Sequence, residues 1–184
     1  MGVVKADAYG HGLIPCAESM IKAGADHLGV AIVEEAIELR KAGIEVPILI
    51  FAYTPIEAVH EAVENDLTLT VFTDELMEEV IHVAEEKQKQ VKIHIKVDSG
   101  MHRIGLKKCE DVLGLLEKNS SSFVHVEGIF THFSVFYYSQ EVVKLLFCIS
   151  GVFIIRMKNS MGKFPSSIVV IVQQPLLSHI CTWI

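Results

Sequence analysis

Apolar residues along the first 134 positions follow two alternating rhythms. Short runs rich in valine, isoleucine and leucine occupy residues 3–4, 27–32, 47–51, 67–72, 92–97 and 123–133, roughly 20 to 30 residues apart. Between them the apolar positions fall three and four apart, which predicts helices over 13–23, 33–42, 56–64, 74–87 and 111–118. Such alternation predicts βαβ units and a parallel sheet, an α/β fold. The punctuation agrees with it: Thr54-Pro55 opens one helix, Thr73 with Asp74 and Glu75 opens another, and Gly24 and Gly43 follow two helix ends. A barrel assembled this way presents its chemistry at the C-terminal ends of its strands.

Three strand ends carry titratable groups. The first is Lys5, at the end of a β-branched run and followed at once by a glycine-punctuated turn. A lysine that faces a pocket there can lose its proton by desolvation and attack a carbonyl, so Lys5 reads as a Schiff-base lysine. Taken alone, it reads more readily as a snorkelling surface lysine beside a turn. The fifth run ends in Lys96-Val97-Asp98-Ser99-Gly100-Met101-His102-Arg103-Ile104-Gly105, and the sixth in Gly128-Ile129-Phe130-Thr131-His132-Phe133. Singly, Arg103 is a solvated loop cation and His132 a hydrogen-bonded core residue. Together with Lys5 they converge on one expected site.

Charge and cysteine usage remove other classes. The formal net charge of −7 disfavours nucleic acid as a partner. Cys16, Cys109, Cys148 and Cys181 form no C-x-x-C pair, so neither a metal site nor a disulfide framework is indicated, which suits a reducing cytosol. No phosphate-binding Walker loop occurs, and Gly10-His11-Gly12 has the wrong spacing for a dinucleotide loop. Met1 leads straight into a strand with no basic, apolar leader, so a cytoplasmic location is expected. Residues 1–134 hold 12 basic and 22 acidic side chains, whereas residues 135–184 hold Lys144, Arg156, Lys158 and Lys163 against Glu141 alone. This shift from −10 to +3 marks a domain boundary. Past it the α/β rhythm stops. The apolar run 142–155 carries Lys144 and is too short to span a membrane, and the β-branched run 168–172 reads as an aggregation segment if exposed.

VVKADAYGHG, KVDSGMHRIGL and GIFTHFS resemble, in order over residues 1–134, the successive motifs of the alanine racemase family, pyridoxal-phosphate enzymes that interconvert L- and D-alanine for cell-wall peptidoglycan. The resemblance implies a partial (β/α)8 barrel of the TIM type with about six of its eight strands. It makes Lys5 the lysine that carries pyridoxal 5'-phosphate and acts as base on one face of it, and Tyr9 the tyrosine that helps hold the phosphate. Arg103 becomes the arginine near the cofactor's phenolic oxygen, Lys96 the lysine that is carbamylated in many members and orients that arginine, Met101 a methionine lining the substrate pocket, and His132 the histidine beside the cofactor ring. One departure is visible: His102 stands where small residues such as glycine are usual.

The same resemblance sets expectations for what the chain lacks. The family's second base is a tyrosine of a C-terminal β-domain contributed by the partner of a homodimer, and that domain, the eighth-strand arginine and the segment before Lys5 are expected to be absent here. Back-translation of residues 167–184 with free third positions, read from the third base of each codon, permits a string containing Cys-Ser-Asn-Ser-Ala-Ala, the form expected for the family's phosphate-binding seventh strand. Residues 135–184 thus read as an out-of-frame tail, and the chain is expected to be inactive by itself. The alternatives are a non-catalytic fragment with residual cofactor binding and, more distantly, a single-domain barrel of the pyridoxal-phosphate homeostasis type.

Overall fold

A computed structural model describes residues 1–132, and the expectations for residues 133–184 lie outside it. In chain order the elements are β1 (Gly2–Val3), a turn over Lys5–Gly10, α1 (Leu13–Lys22), β2 (Leu28–Val30), α2 (Val33–Lys41), β3 (Ile48–Ile50), a 3-10 turn (Ile56–Ala58), α3 (Val59–Glu64), β4 (Leu69–Val71), α4 (Asp74–Lys87), β5 (Val91–Val97), α5 (Cys109–Lys118) and β6 (Val124–Thr131). All pairings are parallel, in the orders β1-β2-β3 and β4-β5-β6. The two triplets join where Thr68 donates to Ile48 O at 2.9 Å and Ile50 donates to Thr68 O at 3.0 Å. Among the described residues this makes six strands of a partial α/β barrel, so all the strands end on one side.

The helices cover the sheet with the stripes that their sequence spacing predicts. Val33, Ala36, Ile37 and Leu39 of α2, and Leu76, Met77, Val80, Val83 and Ala84 of α4, are buried against strand residues such as Leu28, Ile48, Ile50, Leu69, Ile93 and Ile95. Each large apolar side chain so buried contributes about 1.5–3 kcal/mol, which outweighs the modest helix propensity of the β-branched positions. Thr73 caps α4 by accepting from Leu76 N–H at 3.2 Å, and Gly24 and Gly43 follow α1 and α2 with φ of +99° and +83°. The predicted helix 56–64 is divided. Pro55 carries no N–H and sits at ψ 145°, so the chain enters through an i→i+3 bond, Ala58 N to Pro55 O at 2.9 Å, before α3 begins.

Alternation along β5 separates two environments. Ile93 and Ile95 join the apolar core, while Lys92, His94 and Lys96 share the other side of the strand. There His94 and Lys96 both meet the ring of Phe130, at 6.2 Å between ring centroids and 5.3 Å from Nζ to the centroid. The β5–β6 register shifts between Ile93 and His94, leaving Glu127 as the extra residue of a bulge. That bulge aims the Glu127 carboxylate at Lys92, 2.7 Å away, and at His94, 3.4 Å away.

Candidate active site

The site begins with an uncommon piece of backbone. Directly after Lys5, four consecutive non-glycine residues, Ala6, Asp7, Ala8 and Tyr9, have φ of 51–56° and ψ of 36–54°, one turn of left-handed helix. Each such residue costs roughly 1–2 kcal/mol, so the turn stores about 4–8 kcal/mol, a large share of an ordinary domain's stability. The surroundings impose it. Ala8 N donates to Val4 O at 2.8 Å, Gly12 N to Asp7 O at 3.0 Å, Leu13 N to the Asp7 carboxylate at 2.7 Å, and Ala6 N to the Glu35 carboxylate at 2.6 Å. Strain held in this way clusters at functional sites. Its local effect is to turn the chain sharply at the end of β1, leaving Lys5 in a recess whose lining also includes Lys96 and Arg103.

A second device sits at the end of β5. Asp98 is buried, and its Oδ1 accepts the N–H groups of Gly100 and His102, each at 3.0 Å. The loop closes where Leu106 N donates to Lys96 O at 2.9 Å and Asp98 N to Leu106 O at 2.8 Å. Gly105 is required at that crossing, because its φ is +119° and a Cβ would lie 2.7 Å from Asp98 N. His102 has φ +55°, which is the physical reason a small residue such as glycine suits the position; its side chain is exposed. Ser99 ties the loop to β6 through a 2.7 Å bond between its hydroxyl and that of Thr131. Arg103 is thereby held at the recess rim.

Lys5, Lys96, Arg103, Thr131 and His132 line one recess of about 40 Å3, together with Phe51 and Phe130, whose ring centroids are 6.0 Å apart. Burial and the Arg103 guanidinium depress the proton affinity of the other three basic groups. Burial, then Arg103, pulls Lys5 below the usual lysine range, against an upward pull from Glu35. Lys96 is only 3% exposed, and burial brings it down to about 8, with Asp98 raising and Arg103 lowering it. Burial followed by Arg103, Lys96 and Lys5 lowers His132. An excess of positive charge beside two aromatic rings suits an anionic aromatic ligand, and a lysine of reduced basicity suits reaction with an aldehyde. A larger cavity, about 230 Å3, lies at the opposite strand ends beside Arg40 and Asp66. There the Arg40 guanidinium is committed to the carbonyls of Ile44, Val46, Asn65 and Asp66, so the site belongs at the smaller recess.

The profile of the alanine racemase N-terminal domain matches residues 1–142. The chain belongs to the alanine racemase family. It is 52% identical over 134 residues to alanine racemase 1 of Oceanobacillus iheyensis, covering 73% of this chain and 36% of that protein. Among solved structures it is similar to the alanine racemase of Clostridium difficile 630 in complex with cycloserine, with TM-score 0.85, 35% identity, 92% of this chain and 47% of that one. It is also similar to the Bacillus anthracis enzyme with bound L-Ala-P, with TM-score 0.82, 33% identity, 92% and 44%. The chain thus spans 36% of the curated relative and under half of each solved one. The family is pyridoxal-phosphate dependent.

Of the residues singled out from sequence, Lys5, Lys96, Arg103 and His132 meet in the recess. Tyr9 stands at the rim, 52% exposed, with its ring centroid 5.9 Å from Lys5 Nζ. Met101 is 38% exposed on the Arg103 loop and is not among the lining residues. Sequence reasoning passed over Phe51 and Glu35. An aromatic closing the run 47–51 was a weak signal for the first, and the contact of the second, 29 residues back, has no local signature.

Proposed function

We propose that this chain carries the cofactor half of a pyridoxal-phosphate amino-acid racemase acting on alanine, in a cytoplasmic homodimer of the family's type. The observation that carries the reading is the convergence of Lys5, Lys96, Arg103 and His132 on one recess flanked by Phe51 and Phe130. In this reading Lys5 holds pyridoxal 5'-phosphate covalently through Nζ and moves the α-proton of alanine on one face. Tyr9 reaches the phosphate, Arg103 the phenolic oxygen, and His132 flanks the ring. Met101 lines the substrate side. Lys96, close to half amine near pH 8, takes up carbon dioxide through its neutral amine as a carbamate with release of one proton, which places an anion beside Arg103 that orients it. The bound cofactor supplies an electron sink for the α-carbanion. Racemisation also needs a proton-transfer group on the opposite face, and that group is proposed to lie beyond residues 1–132.

Among the described residues no helix is long and apolar enough to cross a membrane, and no three His, Cys, Asp or Glu side chains assemble for a metal ion. The proposed division into a barrel part over 1–134 and an out-of-frame tail over 135–184 rests on charge and motif order. The functional test is hydrogen exchange at carbon. Loaded with pyridoxal 5'-phosphate in deuterated water, the chain is expected to exchange the α-hydrogen of one alanine enantiomer faster than free cofactor does, and Lys5→Ala to lose the gain. Net racemisation is expected to stay roughly 100- to 10,000-fold below a complete family member, as for loss of one acid–base group. Exchange no faster than with free cofactor would contradict the reading.

A further inference from the structure

The carboxylate of Glu35 joins two parts of the chain that local structure does not connect. Its Oε2 accepts Ala31 N–H at 2.7 Å and Ile32 N–H at 3.4 Å, and Ile32 is the residue that precedes α2. A glutamate at the third helical position that reaches back to the helix start is ordinary capping. The other oxygen does something that α2 does not need: Oε1 accepts Ala6 N–H at 2.6 Å, across 29 residues. Ala6 directly follows Lys5 and opens the left-handed run, with φ +53°. The four strained residues need an outside restraint at their first N–H, and a charged acceptor fixed by its second oxygen to α2 is a stiff one.

We propose that Glu35 is a positioning residue for Lys5, locking the left-handed turn that sets where the lysine head group enters the recess. What Lys5 then does rests on the function proposed above, whereas the clamp itself does not. Lys5 is also faced by Arg103 from the loop after β5, by Lys96 of β5, by His132 after β6 and by the Tyr9 ring on its own turn. Against those cations Glu35 draws Lys5 toward its charged form. Removing the carboxylate therefore has two separable effects: the turn loosens, and Lys5 loses its proton at lower pH.

The experiment uses the full 184-residue chain as Glu35→Gln, Glu35→Ala and, as a charge control on the same helical turn, Glu34→Gln. Amide hydrogen exchange at Ala6 is expected to quicken by roughly 10- to 100-fold in Glu35→Ala, as for a lost charge-assisted bond, with β5 amides unchanged. The pH midpoint for fixing pyridoxal 5'-phosphate to Lys5 with borohydride is expected to fall in both Glu35 variants and to stay in place in Glu34→Gln. Adding Ala6→Gly to Glu35→Ala should recover Lys5 labelling, since glycine occupies the left-handed region at little cost. Unchanged Ala6 exchange, or a midpoint shift shared by Glu34→Gln, would overturn the proposal. So would failure of the double variant to fold while Ala6→Gly alone folds, because Glu35 would then act at the helix start. If the unaltered chain takes no label at Lys5, the cofactor reading fails and Ala6 exchange alone decides the clamp.

Discussion

Lys96 and His132 respond to the same neighbour, Arg103, and this makes the site testable one side chain at a time. Replacing the guanidinium by an amide in Arg103→Gln removes a cation that opposes protonation of Lys5, Lys96 and His132. The His132 ring is then expected to hold its proton to higher pH, which a histidine NMR titration reads directly; an unmoved His132 would place Arg103 outside the recess. Lys96 sits at about 8, so the amine needed to capture carbon dioxide becomes abundant as pH rises through that value. With 13C-labelled bicarbonate, a carbamate signal should grow between about pH 7 and 9 and vanish in Lys96→Ala. Persistence of the signal in that variant would assign it to another amine.

At the scale of elements, the strands and helices were readable because burial and period dictate them. Predicted helices 13–23, 33–42 and 74–87 correspond to α1, α2 and α4 within one residue at each end. The left-handed turn was not readable. Lys-Ala-Asp-Ala-Tyr contains no glycine, and local preference argues against four positive φ values in a row, so only contacts from Val4, Gly12, Leu13 and Glu35 make the conformation possible. Lys5, Lys96, Arg103 and His132 were legible as strand-end groups, whereas Glu35 was not, because its decisive bond lies far away in sequence. A matched pair of variants separates the two kinds of element. Thr73→Ala and Asp7→Ala each remove a side-chain oxygen acceptor from a helix start, and each should cost about 1 kcal/mol in denaturant unfolding. Only Asp7→Ala, which also frees the strained turn, should reduce labelling of Lys5. Equal labelling of the two would detach the turn from the site.

For the molecule as a whole, the described residues bury a few polar groups beside the apolar core, His94 and Lys96 of β5 among them, and this has an acid-stability consequence. His94 is buried and His132 partly so, and burial lowers both below the ordinary histidine value of 6.5. In the native state they stay neutral as pH falls past 6.5, while in the unfolded chain they take up protons. Stability is therefore full above about 6.5 and declines as pH drops below it, before the depressed carboxylates Asp98 and Glu127 begin to titrate. The denaturation midpoint should be lower at pH 5 than at pH 7, with a smaller difference in His94→Leu. A midpoint that rises on acidification would contradict neutral histidines at these two positions. Whether the recess around Lys5 is a pyridoxal-phosphate site is decided by treating the full chain with the cofactor, reducing with borohydride and mapping the modified peptides. One dominant pyridoxyl-bearing peptide is expected, the one containing Lys5, lost in Lys5→Ala; label spread over surface lysines such as Lys22, Lys41 and Lys107 and indifferent to that substitution would mean that the recess is no such site.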